Sequence, residues 1–162
     1  MYNLAIRMTN EREAAEDILQ DSFIKAFSEI HNLKDGKAFG GWLKRIVINC
    51  TIDEIRKRKI IYSGLETIMD RHIEIAENVD ESVDPEIVHH LIKKLPDGAR
   101  EILVLRAIEG YKHAEIAEKL NISESTAKTQ FFRAKQLLGK MINERNYEFE
   151  NRKISGEKPV KT

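Results

Sequence analysis

The chain has 162 residues, 41% of them hydrophobic and 33% charged, with only 3 Pro and 8 Gly. That length allows one domain or two small ones, and the lack of any useful alternating strand pattern points to an all-α fold. No apolar run approaches the ~20 residues needed to cross a bilayer and no signal-peptide apolar stretch opens the chain, so a cytoplasmic protein with no membrane insertion of its own is expected.

The formal net charge is zero, but the charge is segregated. Residues 1–61 carry 11 Lys and Arg against 9 Asp and Glu, residues 62–86 carry 1 against 8, and residues 87–162 carry 15 against 10. Two basic ends flank an acidic centre, a distribution that an overall pI conceals and that suits a nucleic-acid binder. The lone cysteine, Cys50, excludes an internal disulfide and falls in an apolar helical pattern, as a small core residue would.

In chain order, residues 2–8 read as the end of a helix. Asn10 with Glu13 has the spacing of an N-cap and its reciprocal partner, and opens a second helix that runs to about Ile30. Ala15, Leu19, Phe23, Ala26, Phe27 and Ile30 form its expected inward stripe. Glu13, Glu16, Asp17, Gln20 and Asp21 cluster on another face, either a solvated acidic surface or a docking face for a basic partner. His31 to Gly41 is a polar, glycine-rich loop. A third helix is expected from Phe39 or Trp42 to Lys59. Trp42, Leu43, Ile46 and Cys50 face one way, while Arg45, Asn49, Asp53 and Arg56 make one polar stripe ending in the basic run Arg56 to Lys59. That run complements the helix dipole, yet mixed Asn, Asp and Arg side chains are also what contacts to bases and phosphates use.

Residues 62–84 read as an acidic linker. Pro85 suits the first turn of a helix to about Leu95, and Pro96 breaks it. Another helix spans about Asp97 to Glu109, with Gly110 just past its end. From Tyr111 to Leu138 the sequence has the form of a helix-turn-helix, a unit able to place one helix in the major groove of DNA. Ile116, Ala117 and Leu120 form one apolar face. Asn121 tolerates the left-handed conformation that ends a helix, Ile122 plugs the corner, and Ser123 caps the next helix. Ala127, Phe131, Ala134 and Leu138 then turn inward. Ser125, Lys128, Thr129, Phe132, Arg133 and Gln136 are left outside, a mix suited to phosphates, guanine edges and thymine methyls. Residues 147–162 read as a polar, disordered tail.

Both halves together resemble a sigma factor of bacterial RNA polymerase, most of all the extracytoplasmic-function (ECF) group of the sigma-70 family. AAEDILQDSFIKAF followed by FGGWLKRIVINCTIDEIRKRK resembles the promoter-melting region 2. LPDGAREILVLRAIEGYKHAEIAEKL with TAKTQFFRAK resembles region 4. The resemblance covers Met1 to about Ile142 and implies two small helical domains, 1–61 and 85–146, joined by the acidic linker, the second carrying the helix-turn-helix.

The resemblance also implies roles. Asp17, Gln20 and Asp21 match the face that docks on the beta-prime clamp of core polymerase, and the beta flap is the expected partner of region 4. The loop of about Asn32 to Ala38, with Lys34 and Lys37, matches the part that captures a flipped minus-ten base. Asn49 and Asp53 match positions that contact minus-ten bases, and Arg56 sits near the backbone. Arg106, Ser125, Lys128, Thr129, Phe132 and Arg133 match positions at the minus-thirty-five element. Promoter DNA and an anti-sigma factor are the other implied partners.

The chain departs from the family pattern in places. The family has a further helix before the position of Met1, so either region 2 is incomplete here, with Leu4 and Ile18 expected to be uncovered, or the start at Met1 is placed too late. Lys112 stands where Ser or Thr often caps a helix, Ser125 where Gly is frequent, and Gln130 where a basic residue is. Asp53, being acidic, suits a base amino group rather than a phosphate.

Two other readings compete. A lone helix-turn-helix regulator would use residues 1–61 for dimerisation or sensing, but the Trp42–Asn49–Asp53 constellation and the acidic face argue against it. An enzyme would need ligands from His31, His72, His89, His90 and His113. No HExxH or GxxxxGK[ST] motif is present, and adjacent His89 and His90 point to different sides of a helix. No catalytic residue, cofactor or metal is therefore expected.

Overall fold

The computed structural model describes residues 1–62 and 84–155, and every regular element among them is helical. The helices are α1 (Tyr2–Thr9), α2 (Arg12–Glu29), α3 (Phe39–Tyr62), α4 (Pro85–Ile92), α5 (Asp97–Leu103), α6 (His113–Leu120) and α7 (Glu124–Ser155). Most of the expected linker, residues 63–83, and with it His72, lies outside the described residues.

Local chemistry sets most boundaries. Asn10 adopts φ 55°, and its backbone N–H donates to the Ile6 carbonyl. It closes α1 rather than opening α2, which Glu11 does from an extended conformation. The expected N-cap at Asn10 is thus corrected. The chain reverses within two residues between α1 and α2, and such a reversal needs a residue that tolerates the left-handed region. Asp84 caps α4 by accepting from the Glu86 N–H at 2.9 Å, with Pro85 at the first helical position. Gly110, at φ 80°, ends the helical stretch begun by α5. α7 runs to Ser155, so the tail expected to be disordered from Tyr147 is helical up to that residue.

α1, α2 and α3 form one three-helix unit, and α4, α5 and α6 pack on α7 to form another. The inward stripe of α2 also needs correction. Ala14, Ala15, Ile18, Ser22 and Ala26 face in, while Phe23, Phe27 and Ile30 are exposed, Phe27 at 75%. Small residues win the inner face because α1 and α3 approach α2 closely there: Ala15 and Ile18 meet Ala5, and Ala26 meets Leu43 and Ile46.

The largest core crosses between the two units. Leu4 and Met8 of α1 and Val47, Ile48, Ile52 and Ile55 of α3 belong to one cluster with Ile92, Leu95, Ala99, Ile102 and Leu103. Leu4 and Ile18, expected to be uncovered, are buried. Ile18 is covered from within the first unit and Leu4 in the cluster shared with the second. A three-helix unit of this size has little core of its own, and the cluster shared with the second unit adds to it.

Polar contacts seal the same seam. Arg100, 3% exposed, donates to the carbonyls of Met8 and Leu95. Asn10 Nδ2 donates to the Lys93 carbonyl at 3.1 Å. Lys44 pairs with Glu109 at 2.6 Å, the Glu109 side chain being only 4% exposed.

Candidate nucleic-acid interface

The helix-turn-helix is built as its residues dictate. Lys112 opens α6, and its backbone N–H donates to Glu115 Oε2 at 2.6 Å, so a carboxylate supplies the capping that Lys112 cannot accept with its own side chain. Asn121, at φ 53°, ends α6. Ser123 Oγ accepts from the Thr126 N–H at 3.0 Å and starts α7. Ile116, Ala117, Leu120, Ala127 and Ala134 are buried, with Ile122 and Phe131 packed against them.

That packing turns the other side of α7 to solvent. Ser125, Lys128, Thr129 and Phe132 are exposed, Phe132 at 48%, and Arg133 is half-buried beside them. Lys128 Nζ lies 2.8 Å from Glu124 Oε1 one turn earlier. This hydrogen bond holds the Glu124 carboxyl below its usual range. The Ser125 hydroxyl lies 2.8 Å from Ser123 Oγ, tied to the cap. Arg133 Nε is buried with no hydrogen-bond partner among the described residues. Arg106 stands apart from this row, on the π-helical segment Val104–Ile108 that follows α5, and donates to the Tyr111 carbonyl at 3.4 Å.

The first unit presents a second set. Asn32, Lys34 and Lys37 are exposed around two single 3-10 turns, Ile30–Asn32 and Gly36–Ala38. The Asp35 carboxylate caps the second by accepting from the Lys37 N–H. Asn49, Asp53 and Arg56 share one face of α3, and Arg56 Nη1 lies 3.8 Å from Asp53 Oδ1. Asp17, Gln20 and Asp21 are exposed on α2, next to the uncovered Phe23, Ile24 and Phe27.

The α3 face is not open to solvent throughout. Lys119 of α6 donates from Nζ to Asn49 Oδ1 at 3.0 Å, and Arg56 Nη2 donates to the Glu118 carbonyl at 3.2 Å. Arg56, Glu115, Glu118 and Lys119 line a shallow cleft between α3 and α6. Lys119 also sits 5.4 Å above the Tyr111 ring. Burial raises the Tyr111 hydroxyl above its ordinary pKa, with Arg45 opposing and Glu109 and Glu115 adding to the shift. Farther along α3, burial alone would lower Arg58, but hydrogen bonds to Glu11 and Glu54 raise it instead. Sequence reasoning passed over Lys119, Glu118, Lys44 and Glu109, because nothing local marks two residues about seventy positions apart as neighbours.

Among the described residues no cluster of three or more His, Cys, Asp or Glu side chains could hold a metal ion, and no helix is long and apolar enough to cross a membrane.

The family described as Sigma-70 region 2 matches residues 1–60, and Sigma-70, region 4 matches residues 86–138. The ECF RNA polymerase sigma factor SigW of Bacillus subtilis is 35% identical, over 89% of this chain and 83% of that protein. SigM of the same organism is 30% identical over 88% of each. Among solved structures, the sigma factor RpoE from Bartonella quintana, in complex with the anti-sigma factor NepR, shares the fold at a TM-score of 0.54 and 22% identity, covering 88% of this chain and 89% of that one. The chain therefore belongs to the sigma-70 family, in its extracytoplasmic-function group of RNA polymerase sigma factors.

Proposed function

We propose that the chain performs promoter-specific transcription initiation, the activity of its family, by dividing recognition between its two units. α7 enters the major groove of the minus-thirty-five duplex with Ser125, Lys128, Thr129, Phe132 and Arg133, and Arg106 faces the same element. α3 reads the minus-ten strand with Asn49 and Asp53, with Arg56 near its backbone. The loop carrying Asn32, Lys34 and Lys37 receives a base taken out of the stack, at a cost of a few kcal/mol. Asp17, Gln20 and Asp21 dock on the beta-prime clamp of core polymerase, and region 4 meets the beta flap. An anti-sigma factor is the further partner, by extension from the solved relative bound to one. The chain acts in the cytoplasm, and it contributes binding energy rather than catalysis to DNA opening.

The observation that carries this reading is the exposed row Ser125, Lys128, Thr129 and Phe132, set on a helix whose opposite side, Ala127 and Ala134, is fully buried. Cations, hydroxyls and an aromatic ring on one face of a capped, packed helix can meet phosphates, base edges and thymine methyls together.

The test is transcription in vitro with core polymerase from a promoter that the wild-type holoenzyme footprints. Lys128→Ala and Arg133→Ala should each lower promoter selection by about 5- to 150-fold, the equivalent of ~1–3 kcal/mol for one lost base contact. Undiminished initiation in both variants rules out α7 as the recognition helix.

A further inference from the structure

Glu124, the first residue of α7, stands on the exposed side of the helix, next to Ser125 and one turn ahead of Lys128. Capping does not need it. Ser123 caps the helix by accepting from the Thr126 N–H, and its hydroxyl also meets those of Ser125 and Thr126. The Glu124 carboxylate instead pairs with Lys128 Nζ at 2.8 Å, and both side chains stay exposed. The hydrogen bond from Lys128 lowers the carboxyl pKa, so the group is ionised and can only accept.

Such a pair on a solvated helix face adds little stability. On a face that enters DNA it also carries a penalty, because a negative charge opposes association with phosphates. The carboxylate therefore lowers affinity unless it meets a donor. Base edges in the major groove offer two, cytosine N4 and adenine N6.

Lys128 decides between them. Across the groove from the cytosine, a C·G pair shows one donor and then two acceptors: cytosine N4, guanine O6 and guanine N7. N4 and O6 are hydrogen-bonded to each other, so they lie about 2.9 Å apart. The 2.8 Å separation of the Glu124 oxygen and the Lys128 nitrogen matches that spacing. The carboxylate can take the free N4 hydrogen while the ammonium donates to O6 and N7. In an A·T pair the donor N6 lies between two acceptors, adenine N7 and thymine O4. A carboxylate over N6 then has an acceptor on either side, and the ammonium meets a single acceptor. Reversal to G·C sets acceptor against acceptor and donor against donor.

We propose that Glu124 and Lys128 act as one reading unit for a C·G pair of the minus-thirty-five element, with Glu124 setting specificity by accepting from cytosine N4. The inference rests on the functional reading above and adds to it a residue that it leaves out. Glu124 weakens binding to DNA of any sequence and makes the binding that remains depend more on the base pair beneath it.

The test uses N4-methylcytosine, in which a methyl group replaces the amino hydrogen that Glu124 would take. Holoenzymes are assembled from core polymerase with the wild-type chain, Glu124→Ala or Glu124→Asp. Competition binding measures their affinities for a promoter that the wild type footprints, with each cytosine of the minus-thirty-five element, on either strand, methylated in turn. At one cytosine, methylation should weaken the wild type by about 5- to 150-fold, the worth of one base contact. At the same cytosine both variants should lose less than about twofold, having no carboxylate within reach of the missing hydrogen. Replacing that pair by G·C should cost the wild type more than either variant, which keep only the Lys128 share.

Glu124→Asp separates base reading from a structural role. It keeps an acid in the first turn, where the helix dipole favours one, and is one methylene shorter. A role confined to charge or to the helix start would leave it as sensitive to methylation as the wild type. Wild-type binding that is indifferent to methylation at every cytosine, or equal sensitivity in the wild type and both variants, overturns the assignment. Wild-type holoenzyme that binds equally well whichever minus-thirty-five base pair is replaced would instead overturn the functional reading on which it rests.

Discussion

Arg100 offers the sharpest energetic test of the seam. Its side chain is 3% exposed and sits between α1 and α5. Nη1 donates to the Leu95 carbonyl at 2.9 Å, Nη2 to Asp97 Oδ1 at 2.6 Å, and Nε and Nη2 both reach the Met8 carbonyl at 3.4 Å. Met8 lies in the last turn of α1, where carbonyls have no intrahelical N–H. The guanidinium supplies that partner and places positive charge at the negative end of the helix dipole. Arg100→Met keeps most of the aliphatic stem and removes every donor. Two carbonyls of buried residues then lose a partner at ~1–3 kcal/mol each, and part of that is returned because no charge has to be desolvated. Asp97 is 73% exposed and recovers its hydrogen bond from water. The net cost is about 2–4 kcal/mol. For a chain of this length it corresponds to a fall in Tm of roughly 4–16 °C. Thermal unfolding followed by circular dichroism measures it, with hydrogen exchange in α1 as a local probe. A fall below about 2 °C, with α1 protection intact, would show that Arg100 does not secure the seam.

The remaining predictions concern α7 and two glycines. Glu124→Gln releases Lys128 from its 2.8 Å partner and removes a negative charge, so affinity for promoter duplex at fixed salt should rise a few-fold by fluorescence anisotropy. The Glu124 carboxyl is lowered from 4.5 chiefly by the hydrogen bond from Lys128. Because its folded pKa is depressed, the pair's contribution is present above the unfolded value and lost as pH falls through the folded one. An NMR titration should find the Glu124 midpoint moved upward in Lys128→Ala. Gly110→Ala should cost about 1 kcal/mol in denaturant unfolding: a Cβ there meets nothing within 4 Å, so the penalty comes wholly from φ 80°. Gly41→Ala, inside α3 with equally open surroundings, should instead stabilise by about 0.5–1 kcal/mol.

The parts of the molecule legible in the sequence are those decided within a few residues. Asn121, Ser123, Pro85 and Gly110 sit where the sequence puts them, because caps and left-handed positions depend on local backbone groups. Asn10 shows the limit of that logic. A residue that can open a helix can also close one, and the choice fell to the two-residue reversal between α1 and α2. The α7 face was legible because Ala127, Phe131 and Ala134 fix its inner side by spacing alone. Spacing could not locate Lys119 against Asn49, since periodicity describes one helix at a time.

The inner face of α2 failed for a different reason. Hydropathy assigns Phe23, Phe27 and Ile30 to a core, yet the structure buries Ala14, Ala15, Ser22 and Ala26 and leaves the large side chains outside. Ser22 is tolerated in the dry interior because its hydroxyl donates to the Ile18 carbonyl at 2.6 Å and so is not left unpaired. Helix-to-helix distance decides the matter. Where α1 and α3 approach closely, a large ring would force them apart, and a smaller volume wins over greater hydrophobicity. The rings then stand at the surface beside Asp17, Gln20 and Asp21, with Phe23 and Phe27 only 6.5 Å apart. An apolar cluster bordered by acids is a surface that binding can bury, whereas solvation alone gains nothing from it. Those phenylalanines therefore belong not to the core, where sequence periodicity puts them, but to the same exposed side of α2 as the proposed polymerase contact.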